Sequence, residues 1–276
     1  MRTATRVLRV ASALDGASRA RGGVGRGIHV GRRAGAANSA RSYDALAASL
    51  SDAQRASMEA YARAIVRENK GEHGTLTGAL SADEVLEAHC GDALALLETF
   101  DRVVPASGGA VMDVGSGAGL PGIPLAIARP GWRFTLLDTL RKRTTFLEET
   151  TRELGLTNVD VVWGRAEDLG KEETHRERYD VVTARAVAEL RVLAEFCLPL
   201  VKVGGRWVAA KNANATEEMA DAVGAVALLG GGEMTLQTVS ALGPDGNPRA
   251  VVVCEKKSPT PDKYPRRAGI PKKRPL

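Results

Sequence analysis

The chain of 276 residues carries 38 Lys and Arg against 33 Asp and Glu, with 44% hydrophobic residues and three cysteines. That balance excludes wholesale disorder, collagen-like repeats and a disulfide-built miniprotein, and no run approaches the roughly 18–20 apolar residues that span a bilayer. Cys90, Cys197 and Cys254 lie far apart without metal-ligand spacing, so unpaired thiols in a reducing compartment, and no bound metal, are expected.

The net charge of +5 is unevenly spread. Residues 1–41 hold nine arginines and a single acid, Asp15, for +8; residues 255–276 hold eight basic residues against Glu255 and Asp262, for +6. That leaves −9 on the 213 residues between, so a basic chain does not mean a basic folded surface. The first segment is rich in Arg, Ala, Gly and Ser, with no continuous apolar stretch. Residues 1–42 therefore read as a disordered organellar transit peptide; a basic arm touching RNA is the other reading of that composition.

From Tyr43 to Arg67 the spacing predicts helix, with Ser51 and Asp52 as a cap and Met58, Tyr61, Ala62, Ile65 and Val66 on one face. After a break at Gly71–Gly78, Ser81 and Glu84 form an S-x-x-E box ahead of a second helical stretch. Together these make a helical N-terminal region over 43–107, closed by the turn-forming Pro105–Gly109. Strands are then predicted at Ala110–Val114, Phe134–Leu137, Val159–Trp163, Tyr179–Ala184, Arg206–Ala210, Thr235–Leu242 and Ala250–Glu255. Helices are predicted at Leu120–Ala128, Arg141–Leu154, Val187–Cys197 and Thr216–Leu229. Such alternation implies a Rossmann-like α/β domain over 108–256: a mostly parallel seven-stranded sheet, with the last two strands an antiparallel hairpin because no helix fits between them.

The most informative segment is Asp113-Val114-Gly115-Ser116-Gly117-Ala118-Gly119, after the first strand and before a helix. Glycines there let backbone approach a ligand closely, and Asp138, ending the next strand, can accept from ribose hydroxyls. A dinucleotide fingerprint wants Gly or Ala where Leu120 stands. An acid followed by G-x-G-x-G resembles instead the motif of class I S-adenosylmethionine methyltransferases. Arg165-Ala166-Glu167-Asp168 falls where an adenine would lie; Glu167 also reads as an ordinary first-turn helix acid. Arg185 ends the fourth strand among apolar residues, where an unpaired charge is expensive. It is thus either functional or half of a structural ion pair.

The run Asp113 to Leu125, with Leu120-Pro121-Gly122-Ile123-Pro124-Leu125, resembles the small-subunit rRNA guanine-N7 methyltransferase family, the RsmG or GidB type. Leu136-Leu137-Asp138-Thr139-Leu140-Arg141-Lys142-Arg143, Arg165–Asp168, Thr183-Ala184-Arg185-Ala186 and Lys263–Pro271 are similar to further family motifs, in order. The resemblance implies methyl transfer from S-adenosylmethionine to N7 of a guanosine in the decoding-region loop of small-subunit rRNA. It implies cofactor contacts at Gly115, Leu120, Asp138, Ala166, Glu167 and Arg185; from the loop itself Asp113, Gly117 and Gly119 are expected to join them. His89 and Asp92 match an H-x-x-D-S signature, with Ala93 for Ser. The family's Asn-Leu-Thr stands as Thr75-Leu76-Thr77, and its upstream Trp-Asn is not evident.

Guanine N7 has a lone pair and no proton, so no general base is expected, and catalysis is expected to rest on orientation. Arg185 and Lys211 are the candidates for gripping the base or a phosphate, while His89 is expected to be packed or capping. Phosphate contacts are expected from Arg141-Lys142-Arg143 and the basic tail over 257–276. On that division of labour, removal of residues 263–276 weakens RNA binding and spares the cofactor. The expected partner is small-subunit rRNA or a ribosomal particle, with no membrane, and the chain is expected to be a monomer. A bacterial-type family behind a transit-like segment points to an organelle, the chloroplast ahead of the mitochondrion.

Overall fold

The computed structural model describes residues 42–71, 75–185, 188–242 and 247–276, together with a two-residue strand, β1 (Leu8–Arg9). The expected transit segment otherwise lies outside the described residues, as do Ala186 and the tip of the C-terminal hairpin.

The predicted first helix is two. α1 (Tyr43–Ala47) ends before Ser51, whose Oγ accepts from Gln54 N while Gln54 Oε1 accepts from Ser51 N, and this capping box starts α2 (Asp52–Glu68). At Ser81 the reciprocal arm slips by one residue: Ser81 Oγ accepts from Glu84 N, but Glu84 takes the N–H of Leu80. The second stretch is also broken, running through α3 (Ala82–Val85), a π-helical turn (Leu86–Cys90), α4 (Gly91–Ala95) and α5 (Leu97–Val103).

The sheet follows the expected alternation: β2 (Ala110–Val114), α6 (Gly122–Ala128), β3 (Arg133–Asp138), α7 (Arg141–Glu153), β4 (Val159–Trp163), α8 (Ala166–Leu169), β5 (Tyr179–Arg185) and α9 (Leu190–Cys197). It continues through β6 (Val201–Asn212), α10 (Thr216–Leu228), β7 (Gly231–Leu242) and β8 (Pro248–Lys256), with α11 (Ile270–Lys273) in the tail. Strand order is β1-β7-β8-β6-β5-β2-β3-β4. β6, β5, β2, β3 and β4 are parallel, and β8 is antiparallel to both β6 and β7. This is the expected seven-stranded, mostly parallel Rossmann-like sheet, with β1 added at one edge. Boundaries differ in places: β7 begins at Gly231 and not Thr235, α9 at Leu190 and not Val187, and Gly204 and Gly205 do not precede a strand but lie inside β6, where Gly204 takes φ +85° and the register against β5 slips.

Alternation along the strands sends Val111, Leu136, Val181 and Val208 to one core, and Met112, Leu137, Val182 and Trp207 to the other. Met58, Tyr61, Ile65 and Phe100 fill the first core, so the N-terminal helices cover a face of the sheet. Leu193, Phe196 and Met219 from α9 and α10 fill the second. Gln54 uses both ends of its side-chain amide: Oε1 accepts in the capping box, and Nε2 donates to Ile127 O and Ala128 O at the end of α6.

Candidate cofactor cleft and substrate site

The carboxyl ends of the parallel strands open onto a cleft of about 470 Å³. Its floor is the loop after β2, where Gly115, Gly117 and Gly119 take φ of +74°, +60° and +96°. Gly115 N and Ser116 N both donate to Leu137 O, tying the loop to β3. Gly117 N donates to Asp138 Oδ2 and Leu140 N to Asp138 Oδ1, each at 2.9 Å, and Arg143 Nη1 stands 3.5 Å from Oδ2. Asp138 is thus buried and held in place, with Oδ1 keeping a further lone pair for a ligand. From the other side, Tyr61 Oη donates to Ala118 O at 2.8 Å, so α2 braces the loop.

Two of the expected contacts lie elsewhere. Asp113 is fully buried beneath the loop, where Oδ2 accepts from Gly122 N and holds the start of α6. Burial pushes its pKa up to about 6, against the opposing pull of the Gly122 N–H and Arg185. Gly119 does not line the cleft either. It turns the chain into α6, and a Cβ there would sit 2.5 Å from Ile123 Cδ1. Both residues build the cradle without facing into it, because the side chain of β2 and the tightest turn point to the core.

The remaining expected residues converge. Gly115, Gly117, Leu120, Asp138, Ala166, Glu167 and Arg185 all line the cleft. A second cavity of about 660 Å³ adjoins, lined by Lys211, Asn212, Glu218 and Arg249 and sharing His89 and Arg185 with the first. Arg185 lies between the two and is also half of an ion pair, with Nη1 2.9 Å from Asp92 Oδ2. Lys211 Nζ is held by Glu218 Oε1 at 2.6 Å and Ala188 O at 2.8 Å. His89 is packed, and its Nδ1 is buried with no partner among the described residues. Burial, and then Arg185, lower its pKa to about 4, so the imidazole is neutral at pH 7.

Several cleft residues carry no signal that composition or periodicity exposes. Asn69 ends α2, and its Oδ1 accepts from Leu76 N and Thr77 N, which sets both of those residues at the rim. The tail supplies two more, Gly269 and Lys272. It is not a free basic end. Arg266 grips Glu195 through its backbone N and its guanidinium at 2.6–3.1 Å, Arg176 Nη1 donates to Tyr264 O, and Gly269 N donates to Glu167 Oε1 at 3.0 Å. Glu167 therefore faces the cleft while anchoring the tail. This contact stands against the expected separation of tail from cofactor site.

The arrangement suits an adenosyl sulfonium. Bare glycine backbone, a buried and oriented carboxylate and the apolar Leu120, Leu137, Ala166 and Phe196 give a surface for ribose, adenine and an aliphatic chain. Among the described residues no cluster of three or more His, Cys, Asp or Glu is arranged to hold a metal, and no helix is long and apolar enough to cross a membrane. The three cysteines are buried and unpaired.

Comparison with known proteins agrees with this reading. The GidB family, described as rRNA small subunit methyltransferase G, matches residues 54–242. A ribosomal RNA small subunit methyltransferase G from Brevibacillus brevis is 44% identical over 230 residues, covering 83% of this chain and 93% of its own. The protein of that name from Symbiobacterium thermophilum is 50% identical over 198 residues, 69% of this chain and 76% of its own. Among solved structures, TrmN from Thermus thermophilus is 22% identical over 60% of this chain and 48% of that chain, with a TM-score of 0.46. The strand order above, not that likeness, carries the fold. On the family match and the identity of its relatives, the chain belongs to the GidB family of small-subunit rRNA methyltransferases.

Proposed function

We propose that this chain transfers a methyl group from S-adenosylmethionine to N7 of a guanosine in the decoding-region loop of small-subunit rRNA. The observation that carries the reading is the pair of cavities sharing Arg185 and His89: one has a glycine cradle and an aimed carboxylate, and the other is lined by polar and charged side chains. Asp138 would hold the ribose, Gly115 and Gly117 the backbone-facing part of the cofactor, and Leu120, Ala166 and Glu167 the adenine end. When bound, the cofactor supplies an electrophilic methyl group on sulfur.

The chain's own work is positioning. N7 needs no deprotonation, so no side chain has to act as base, and the second cavity has only to hold the purine edge toward the first. Arg185 and Lys211 point donors into it, yet neither is a bare cation. Asp92 and Glu218 neutralise them. The purine becomes positively charged as it is methylated, and a near-neutral wall with a neutral His89 opposes that far less than two free cations would.

The substrate reading and the location go together. Nine arginines in residues 1–41 precede the matched span, and the matched relatives named above are bacterial. That supports import into an organelle, the chloroplast favoured, and action there as a monomer on rRNA or a ribosomal particle. The decisive assay is methyl transfer from labelled cofactor to unmodified small-subunit rRNA and to the isolated particle, with the modified base mapped. Label at a guanosine N7 in the decoding-region loop is expected. Label elsewhere, or none on either substrate with cofactor bound, would overturn the proposal. A fluorescent reporter fused behind residues 1–42 should enter plastids; retention in the cytosol would remove the organellar part.

A further inference from the structure

The rim of the cofactor cleft at the β4 edge carries an aromatic that the chemistry above does not use. Three tryptophans occur in the chain. Trp132 and Trp207 are buried, whereas Trp163 is 59% exposed. It ends β4 immediately before Gly164 and Arg165, which line the cleft, and its register partner on β3 is Asp138. The indole is fixed, not loose. Nε1 donates to Thr139 O at 3.1 Å, and the Arg141 guanidinium lies 5.7 Å from the ring centroid. With one face taken by Arg141, the ring's exposure belongs to the other face and outer edge.

The surroundings are cationic. Arg141, Lys142 and Arg165, neighbours of the ring in sequence, are exposed; Arg141 also pairs with Glu148 at 3.4 Å, while Lys142 and Arg165 form no ion pair among the described residues. Leu140, 42% exposed, adds apolar surface. α7 begins here with no side-chain cap; Arg143 N turns back to Leu140 O, and the N–H groups of Arg141 and Lys142 are left to water or an anion. The body of the chain is acidic, at −9 over residues 42–254, which makes a local cluster of cations around a preset indole a departure from its surroundings. A planar π-face beside phosphate-binding groups is what an unpaired nucleotide stacks on; double-stranded RNA buries its base faces and offers only backbone and groove.

We propose that Trp163 is a stacking platform for one unpaired base of the RNA substrate, with Arg141, Lys142 and Arg165 holding the adjoining phosphates. The platform lies at the Asp138 and Arg165 end of the cleft, away from the second cavity across Arg185. The stacked base is therefore a flanking nucleotide, not the one methylated. This rests on RNA being the substrate, and the platform fixes how the strand is laid across the site.

The test uses the full chain. Because the other two tryptophans are buried, a short oligoadenylate should quench the intrinsic fluorescence of the wild type and leave that of Trp163→Phe unchanged. In methyl transfer to small-subunit rRNA, Trp163→Ala should raise KM roughly tenfold, in line with the cost of losing one base–aromatic stack. kcat and S-adenosylhomocysteine affinity should change less than about twofold on the same basis, and Trp163→Tyr should recover most of the KM. Wild-type KM in Trp163→Ala, an absence of quenching, or a loss of cofactor affinity in place of RNA affinity would each overturn the platform. Quenching by oligoadenylate without any methylation of rRNA would sustain it while defeating the proposed reaction, so the two failures are separable.

Discussion

Removing the Arg266 side chain tests whether the C-terminal tail belongs to the cofactor site. Glu195 is fully buried and receives the Arg266 guanidinium and the Arg266 backbone N–H. Truncating one partner of a buried pair costs about 3–5 kcal/mol, chiefly because the other charge is stranded. Here the Arg266 side chain is 25% exposed and the backbone bond to Glu195 survives, so the loss is nearer about 2–3 kcal/mol. At about 1.4 kcal/mol per decade, the docking equilibrium of the tail falls roughly 30- to 100-fold. Tyr264, buried at 7% exposure, and the Gly269–Glu167 bond still hold the tail, so not all of that reaches the ligand. The apparent Kd for S-adenosylhomocysteine in R266A, measured by titration calorimetry on the full chain, should rise about tenfold as the competent fraction falls. Arg267, exposed one residue on, is the control: R267A should leave cofactor affinity alone and weaken only RNA binding. Wild-type cofactor affinity in R266A, with protease sensitivity showing residues 263–276 released, would refute the coupling. Deletion of 263–276 should likewise weaken both ligands.

Asp138→Ala should lower cofactor affinity at least 100-fold by calorimetry, since two hydrogen bonds to a carboxylate at about 1.5–3 kcal/mol each are lost; a change under threefold would mean the ribose is held elsewhere. Gly122→Ala places a methyl 2.9 Å from Asp113 Oδ2 in a packed core. Overpacking of about 1–3 kcal/mol should drop Tm by several degrees, and an unchanged Tm would show that the α6 turn has slack. For pH, the Asp113 pKa of about 6 lies above its ordinary 3.8. The native state therefore binds this proton more tightly, and the associated stability, on the order of 3 kcal/mol, is lost as pH rises between those values. His89 works the other way: its native pKa of about 4 lies below 6.5, so stability is lost as pH falls through that interval. Urea unfolding of Asp113→Asn beside the wild type isolates the first term. The variant should gain relative stability from pH 4 to pH 7, and parallel profiles would count against a buried titrating Asp113.

Much of the fold was legible because its signals are local. Ala110–Val114 and Val159–Trp163 fall where their apolar runs end, and the short link between the last two strands leaves them no topology but a hairpin. Boundaries drifted where backbone conformation, not pattern, decides. Gly204 puts a bulge inside β6, and the Leu80–Glu84 bond shifts a cap by one residue. Asp113 was the instructive miss among the site residues: an acid at a strand end reads the same whether it faces a ligand or props the next helix.

What the sequence by itself determined is the cofactor half of the site, since the loop and Asp138 belong to neighbouring strands and β-strand geometry brings their ends together. Only the tertiary structure decided which groups close that site. Leu76 and Thr77 arrive on an Asn69-pinned loop, Arg185 meets Asp92 from 93 residues away, and the tail reaches Glu167 across 102. Such pairings leave no periodic trace, because they are fixed by how separate elements pack against one sheet.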